Sequence, residues 1–205
     1  KKLKKISKEE GVHGITFSPN GKYFLDKYSN ISQMPSLILY NKEGLKIKTI
    51  ARSRDELINI VDLQIPELIS IPTSDGFNMP AQILKPKDFD PKNPYPVIYH
   101  VYGGPSAPTV FNSWQGTSLL FDNLLLNKGY LIVKFDHRTA TAISKKLENR
   151  VNLMMSGPIE MADIIDGIQW LKSQSYVDER RVGIWGWSGG GSFTLNAMTN
   201  TNEFK

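Results

Sequence analysis

The spacing of apolar positions changes character along the chain, and each change predicts a different kind of element. Residues 14–17, 22–28, 36–40 and 45–50 are short runs of β-branched, aromatic and aliphatic residues, separated by the turn sequences Ser18-Pro19-Asn20-Gly21 and Asn41-Lys42-Glu43-Gly44. Proline supplies a fixed φ and Asn-Gly or Glu-Gly the positive φ that tight reversals need, so these runs predict an antiparallel meander. A few such strands leave two faces and two edges uncovered and need neighbours. One blade of a propeller has this pattern, and so does part of a sandwich.

The pattern then shifts to a charged opening (Arg52, Arg54, Asp55, Glu56) followed by Leu57, Ile58, Ile60, Val61 and Leu63, which predicts a short helix and a linker over 51–66. A hairpin follows, residues 67–71 and 77–84 closed by Thr73-Ser74-Asp75-Gly76, and then a surface loop spaced by Pro86, Pro91, Pro94 and Pro96. Beyond Pro96 buried strands alternate with amphipathic helices. The strands are 97–102, 130–135 and 181–187. One helix spans 117–127 and stops at Gly129; another opens at Pro158 with Met161, Ile164, Ile165, Ile168 and Leu171 at helical spacing. This alternation predicts an α/β architecture, a parallel sheet covered by helices. The expected division is 1–50, a linker at 51–66, and 67–205.

At 40% hydrophobic over 205 residues the chain has enough apolar material for a sizeable core. The net charge of +5 is mild, with cations gathered in the first eight residues and over 138–150. No basic stripe interleaves with aromatics, so no nucleic-acid partner is expected. Cysteine is absent, which excludes disulfides and thiolate metal sites and leaves the compartment open. No metal-ligand cluster or nucleotide loop is evident, and no cofactor is expected. No apolar run approaches membrane-helix length, and no apolar segment of a signal peptide follows the basic start.

The candidate chemistry lies at Gly186-Trp187-Ser188-Gly189-Gly190, which fits G-x-S-x-G with a strand before it and a helix after. The motif projects a serine hydroxyl above the sheet edge from a strained turn. The turn lacks the lysine and spacing of a phosphate-binding G-x-x-x-x-G-K-[ST] loop; packing alone is its other reading. Acyl transfer also needs donors for an oxyanion, and the amide of Gly189, the residue after the nucleophile, is the first candidate. A second would come from the loop after an earlier strand, and "HVYGGPSAP" at 100–108 is such a loop. Tyr102 within it is otherwise a packing residue at a strand end. No His or Asp follows Ser188, while His13, His100 and His137 all precede it.

These segments together resemble the prolyl oligopeptidase family of serine peptidases, and within it the dipeptidyl peptidase IV type. The residues that carry the resemblance are "VYGGP" at 101–105, "GPIEMADIIDGIQWL" at 157–171 with Gly157, Glu160 and Asp163, "YVDERRVGIWGWSGGG" at 176–191, and the N-terminal "FSPNGKYFLDKYSNI". The resemblance implies the closing strands of a β-propeller followed by an incomplete α/β-hydrolase fold that lacks its C-terminal part. It makes Ser188 the nucleophile and the Tyr102 hydroxyl, with the Gly189 amide, the oxyanion donors. In this fold the order is Ser, then Asp, then His, so the acid and base are expected beyond Lys205 and the 205 residues alone are expected to be inactive. The implied substrate is a peptide, cut by a dipeptidyl peptidase or related exopeptidase. The resemblance also carries the expectation of a homodimer and of a periplasmic or secreted setting. An ester or other acyl hydrolase, and a non-catalytic peptide-binding relative, remain as alternatives. Two departures stand out. Gly189 occupies a position where the family often has a large residue, and "FDHRTATAISKK" at 135–146 keeps Asp136 and Arg138 without the usual glycine-rich continuation.

Overall fold

The computed structural model describes residues 4–54, 56–151 and 155–205. Lys1, Lys2 and Leu3 of the basic start, and Asp55 of the charged linker opening, lie outside the described residues. The chain divides into two compact units, Lys1–Ile65 with Phe111–Leu119, and Pro66–Val110 with Leu120–Lys205.

In the first unit β1 (Val12–Phe17), β2 (Tyr23–Asn30), β3 (Gln33–Asn41) and β4 (Lys46–Arg52) pair antiparallel in chain order. Gly21 and Gly44 sit at φ 64° and 86° in the two expected turns, a conformation only glycine adopts without strain. Phe24, Asp26 and Tyr28 alternate onto the buried face of β2, where Phe24 stacks on Tyr40 of β3. β4 runs past the expected end at residue 50, because a register shift between Leu37 and Ile38 lets Ala51 and Arg52 pair with Leu37 and Ser36. α1 (Glu56–Ile60) follows. Asn112 Oδ1 accepts from Ile31 N at 3.1 Å, tying residues 111–119 to this unit.

The second unit is built on five strands, β5 (Glu67–Pro72), β6 (Asn78–Leu84), β7 (Tyr95–His100), β8 (Leu131–Phe135) and β9 (Val177–Trp185), in the order β5-β6-β8-β7-β9. β7 runs parallel to β8 and β9, whereas β6 pairs antiparallel with both β5 and β8. The expected hairpin is therefore an antiparallel edge of the same sheet. Among the described residues four helices follow β7 in the chain: α2 (Thr117–Leu126), α3 (Lys145–Glu148), α4 (Pro158–Lys172) and α5 (Gly189–Asn200). Ile164 and Ile168 of α4 and Phe193 of α5 pack with Val97, Tyr99 and Phe135 on one face of the sheet. Phe121 and Leu125 of α2 share a cavity with Ile98 and Ile184 on the other. Coverage on both sides explains why β8 is apolar almost throughout and fully buried. Its single lysine, Lys134, is buried against Asp122 of α2 at 2.6 Å.

Three differences from the sequence pattern have local causes. β7 begins at Tyr95, and Pro96, which has no N–H to give, sits at a register shift against β9. β9 begins at Val177 because Asp178–Arg181, polar and largely exposed, nevertheless continues the strand at the end of the strand order. α3 is capped by Ser144, whose side chain accepts from Leu147 N, a signal too short to register as a periodic pattern.

Candidate active site

The strand order positions the site. From β7 the chain crosses to β8 on one side, and from β8 it crosses back over β7 to β9 on the other. The order therefore reverses between β7 and β9, and in open α/β sheets ligands bind outside the carboxyl ends of the strands at such a point. Tyr102 follows the end of β7, and Ser188 follows the end of β9. The two strands stay in register up to this level: His100 faces Trp185, and Val101 N donates to Trp185 O at 3.0 Å.

Ser188 lies at φ 57°, ψ −118°, a backbone conformation that L-residues rarely adopt. It occupies the N-cap position of α5, where a serine hydroxyl ordinarily bonds to the first turn of the helix. Here its side chain makes no capping hydrogen bond, so the hydroxyl is not consumed by the helix. The flanking glycines have a steric reason. A Cβ on Gly186 would collide with Val101 O and with the backbone of Gly190, and one on Gly190 would collide with Val101 O and stand 3.1 Å from Tyr102 Cα. Only bare backbone lets the turn approach β7 this closely.

That approach brings Gly189 and Tyr102 together. A Cβ built on Gly189 would lie 3.5 Å from Tyr102 O and 3.9 Å from Tyr102 Cε2. The Gly189 amide opens α5, where N–H groups lack intrahelical acceptors and the helix dipole favours negative charge. Tyr102 is 39% exposed. The same Cβ would meet Met155 Cε at 3.3 Å, so the space left by the missing side chain is bordered by Met155 as well as Tyr102. Asn196 Nδ2 donates to Ser156 O at 2.7 Å and holds that segment to α5. No local sequence pattern relates Met155 to Gly189, 34 positions later.

The histidines occupy other environments. His13 belongs to the first unit, where Nδ1 meets Asp26 at 2.7 Å. His100 stacks on Trp185 with ring centroids 4.2 Å apart, and burial, aided by the Lys134 charge, pushes its pKa down to about 4. His137 is fully buried beneath Gly103 and Phe193, with Nδ1 against Thr139 Oγ1 at 3.0 Å, and burial lowers its pKa to about 4. The nearby carboxylates are engaged elsewhere, Asp163 with Arg138 and Asp136 with Thr109 and Val110. Among the described residues no hydrogen bond joins His100 or His137 to Ser188, and no group of acidic side chains and histidines could hold a metal ion.

The buried His137 carries a pH prediction. Between the folded value of His137 (about 4) and the unfolded value (about 6.5), the unfolded chain binds more protons, so stability is full above about pH 6.5 and is lost as the pH falls toward 4. At about 1.4 kcal/mol per unit, His137 contributes a loss of roughly 3 kcal/mol over that window. Urea denaturation at pH 7 and pH 4.5 is expected to show this slope, and His137→Gln is expected to reduce it.

A sequence model of the prolyl oligopeptidase family matches residues 118–205. The chain is 30% identical over 199 residues to mouse dipeptidyl peptidase 8, covering 93% of this chain and 22% of that protein. It is 38% identical over 129 residues to a probable dipeptidyl-aminopeptidase B of Ajellomyces dermatitidis, covering 62% of this chain and 13% of that one. Among solved structures, dipeptidyl peptidase 4 of Porphyromonas gingivalis superposes with a TM-score of 0.91 at 27% identity, over 98% of this chain and 29% of that chain. A putative dipeptidyl aminopeptidase IV of Bacteroides ovatus gives 0.87 at 30% identity, over 96% and 28%. The chain thus spans about a fifth of the length of the first curated relatives it matches.

Proposed function

Because the chain belongs to the prolyl oligopeptidase family, with the terminal strands of a β-propeller and part of an α/β-hydrolase fold, we propose that it is the nucleophile-bearing part of a serine peptidase that removes dipeptides from peptide substrates. The observation that carries this reading is the strained Ser188, free of any capping bond, whose next residue Gly189 lies against Tyr102 at the reversal of strand order. Ser188 Oγ adds to the peptide carbonyl and loses its proton to a base. The C–N bond breaks, the amine leaves with that proton, and water then hydrolyses the acyl-enzyme. The Tyr102 hydroxyl and the Gly189 amide stabilise the oxyanion. The base and its orienting carboxylate come from outside the 205 residues. This assignment is supported by the chain order of triads in this fold and by the environments of His100 and His137. The dipeptidyl class is supported by the names of the relatives.

The test uses the full-length protein that contains this chain. A fluorophosphonate reagent is expected to label Ser188, located by peptide mapping, and dipeptidyl amides are expected to be cleaved with release of an intact dipeptide. Hydrolysis of short acyl esters without cleavage of any peptide would replace the peptidase reading with an esterase. Peptide binding with neither labelling nor cleavage would replace it with a binding protein.

A further inference from the structure

Asp136 directly follows β8 and is 2% exposed. Its carboxylate is devoted to one neighbouring loop. Thr109 N reaches both carboxylate oxygens at 2.8 and 3.0 Å, Thr109 Oγ1 donates at 2.7 Å and Val110 N at 2.9 Å. Burial drives its pKa up, and these bonds from Thr109 and Val110 oppose the rise. A buried carboxylate is costly unless it is hydrogen-bonded, and here the donors that offset the cost all come from one loop, so the carboxylate and that loop hold each other in place.

The loop it fixes leaves β7 through Tyr102. Gly103 and Gly104 follow, two residues with the least resistance to backbone motion. Gly104 also lies against the tyrosine: a Cβ there would stand 2.7 Å from Tyr102 Cε1. One edge of the ring thus rests on Gly104 while the other, Cε2, faces Gly189. The turn behind the ring is closed by Ala107 N donating to Gly104 O at 3.1 Å and pinned by Ser106 N donating to Thr139 O at 2.9 Å. Its far end is the Thr109–Val110 pair on Asp136. The segment after β8 therefore grips this turn twice, through a carbonyl at 139 and a carboxylate at 136.

We propose that Asp136 is a positioning residue for Tyr102: by gathering Thr109 and Val110 it fixes the turn that backs the tyrosine ring and so sets where the hydroxyl stands relative to Ser188. The inference rests on the reading of Tyr102 as an oxyanion donor. A backing turn that shifts by about 1 Å moves the hydroxyl off the oxyanion, and misplacement of that size costs up to about a hundredfold in rate. In Asp136→Asn the amide oxygen keeps the donors of one carboxylate oxygen while the NH2 group faces N–H donors at the other, so the grip is weakened while the side-chain volume is kept.

The experiment is a double-mutant cycle in the full-length enzyme, read as kcat and KM on a dipeptidyl amide. Tyr102→Phe is expected to lower kcat by roughly 10²- to 10³-fold. Asp136→Asn is expected to lower kcat by about 10- to 100-fold with KM nearly unchanged. The double variant is expected to match Tyr102→Phe within about twofold, because the placement of an absent hydroxyl has no consequence. Thr109→Val, which removes one bond of the four, is expected to show a smaller loss with the same non-additivity, and it serves if Asp136→Asn does not fold. Full multiplication of the two losses, or an unchanged kcat in both Asp136→Asn and Thr109→Val, would overturn the proposal. A fluorophosphonate-unreactive Ser188, or a Tyr102→Phe variant with wild-type kcat, would instead remove the reading on which it rests.

Discussion

Replacing Ser188 by alanine is expected to lower kcat on a dipeptidyl amide by roughly 10⁴- to 10⁶-fold while leaving the folded state intact. On the proposed mechanism the size follows from what is lost: without Oγ no acyl-enzyme forms, and only the proposed oxyanion donors and substrate binding remain to act on the amide. Stability should behave differently, because the hydroxyl caps nothing. The strain at φ 57°, ψ −118° comes from the Cβ, which alanine keeps. A residue held in such a region costs about 1–3 kcal/mol, whereas glycine there costs about 0.5–1 kcal/mol of extra unfolded-state entropy. Ser188→Gly is therefore expected to be as inactive as Ser188→Ala and more stable by about 1 kcal/mol. Thermal denaturation and turnover of the two full-length variants decide both points. Residual cleavage near the wild-type rate would place the nucleophile elsewhere, and equal melting temperatures would show that the elbow holds its backbone without strain.

Gly186 and Gly190 are legible in the sequence because the collision each avoids, with Val101 O, is built into a short motif between strand and helix. The buried strands β7 and β8 and helix α4 are legible because continuous or helically spaced apolar runs need no partner information. Tyr102 was legible only through the family resemblance, since a tyrosine at a strand end has no periodic signature and its ring is placed by Gly104 and Gly189, the latter 87 positions away. The grip of Asp136 on Thr109 spans 27 positions, and that of Arg138 on Asp75 spans 63. Such contacts are set by sheet order, which apolar spacing does not encode. The polar opening of β9 was missed for a related reason: a strand at the end of the sheet order carries exposed charges and reads as a loop.

Breaking the ion cluster behind the site is expected to have the largest effect on stability. Arg138 donates from its backbone N and its guanidinium to Asp163 of α4, which is fully buried, and through Nη1 and Nη2 to Asp75 in the β5–β6 turn at 2.7 and 2.8 Å. The guanidinium also lies over the Phe77 ring. The Arg138 hydrogen bonds, with the Thr73 hydroxyl, hold the Asp75 carboxyl well below the usual carboxylate range, and Asp163 and Asp75 raise the Arg138 pKa in turn. Asp163→Ala leaves Asp75 as the one remaining carboxylate on Arg138, takes the acceptor from Nε and orphans the Arg138 amide, and removing one partner of a buried pair costs about 3–5 kcal/mol. Replacing both partners with apolar residues of similar volume, Arg138→Met with Asp163→Leu, is expected to recover the part of that loss due to the charge, since buried pairs often contribute little net stability, while the amide of residue 138 stays without its acceptor. Activity is not expected to recover with it. The cluster ties the β5–β6 turn and α4 to the 136–139 segment that holds the Tyr102 turn, and methionine and leucine restore packing without restoring that direction. Urea midpoints that recover while kcat stays at least about tenfold low would assign the charges to geometry. Recovery of both would reduce the cluster to a packing element, and recovery of neither would make it the principal stabiliser of this half of the sheet.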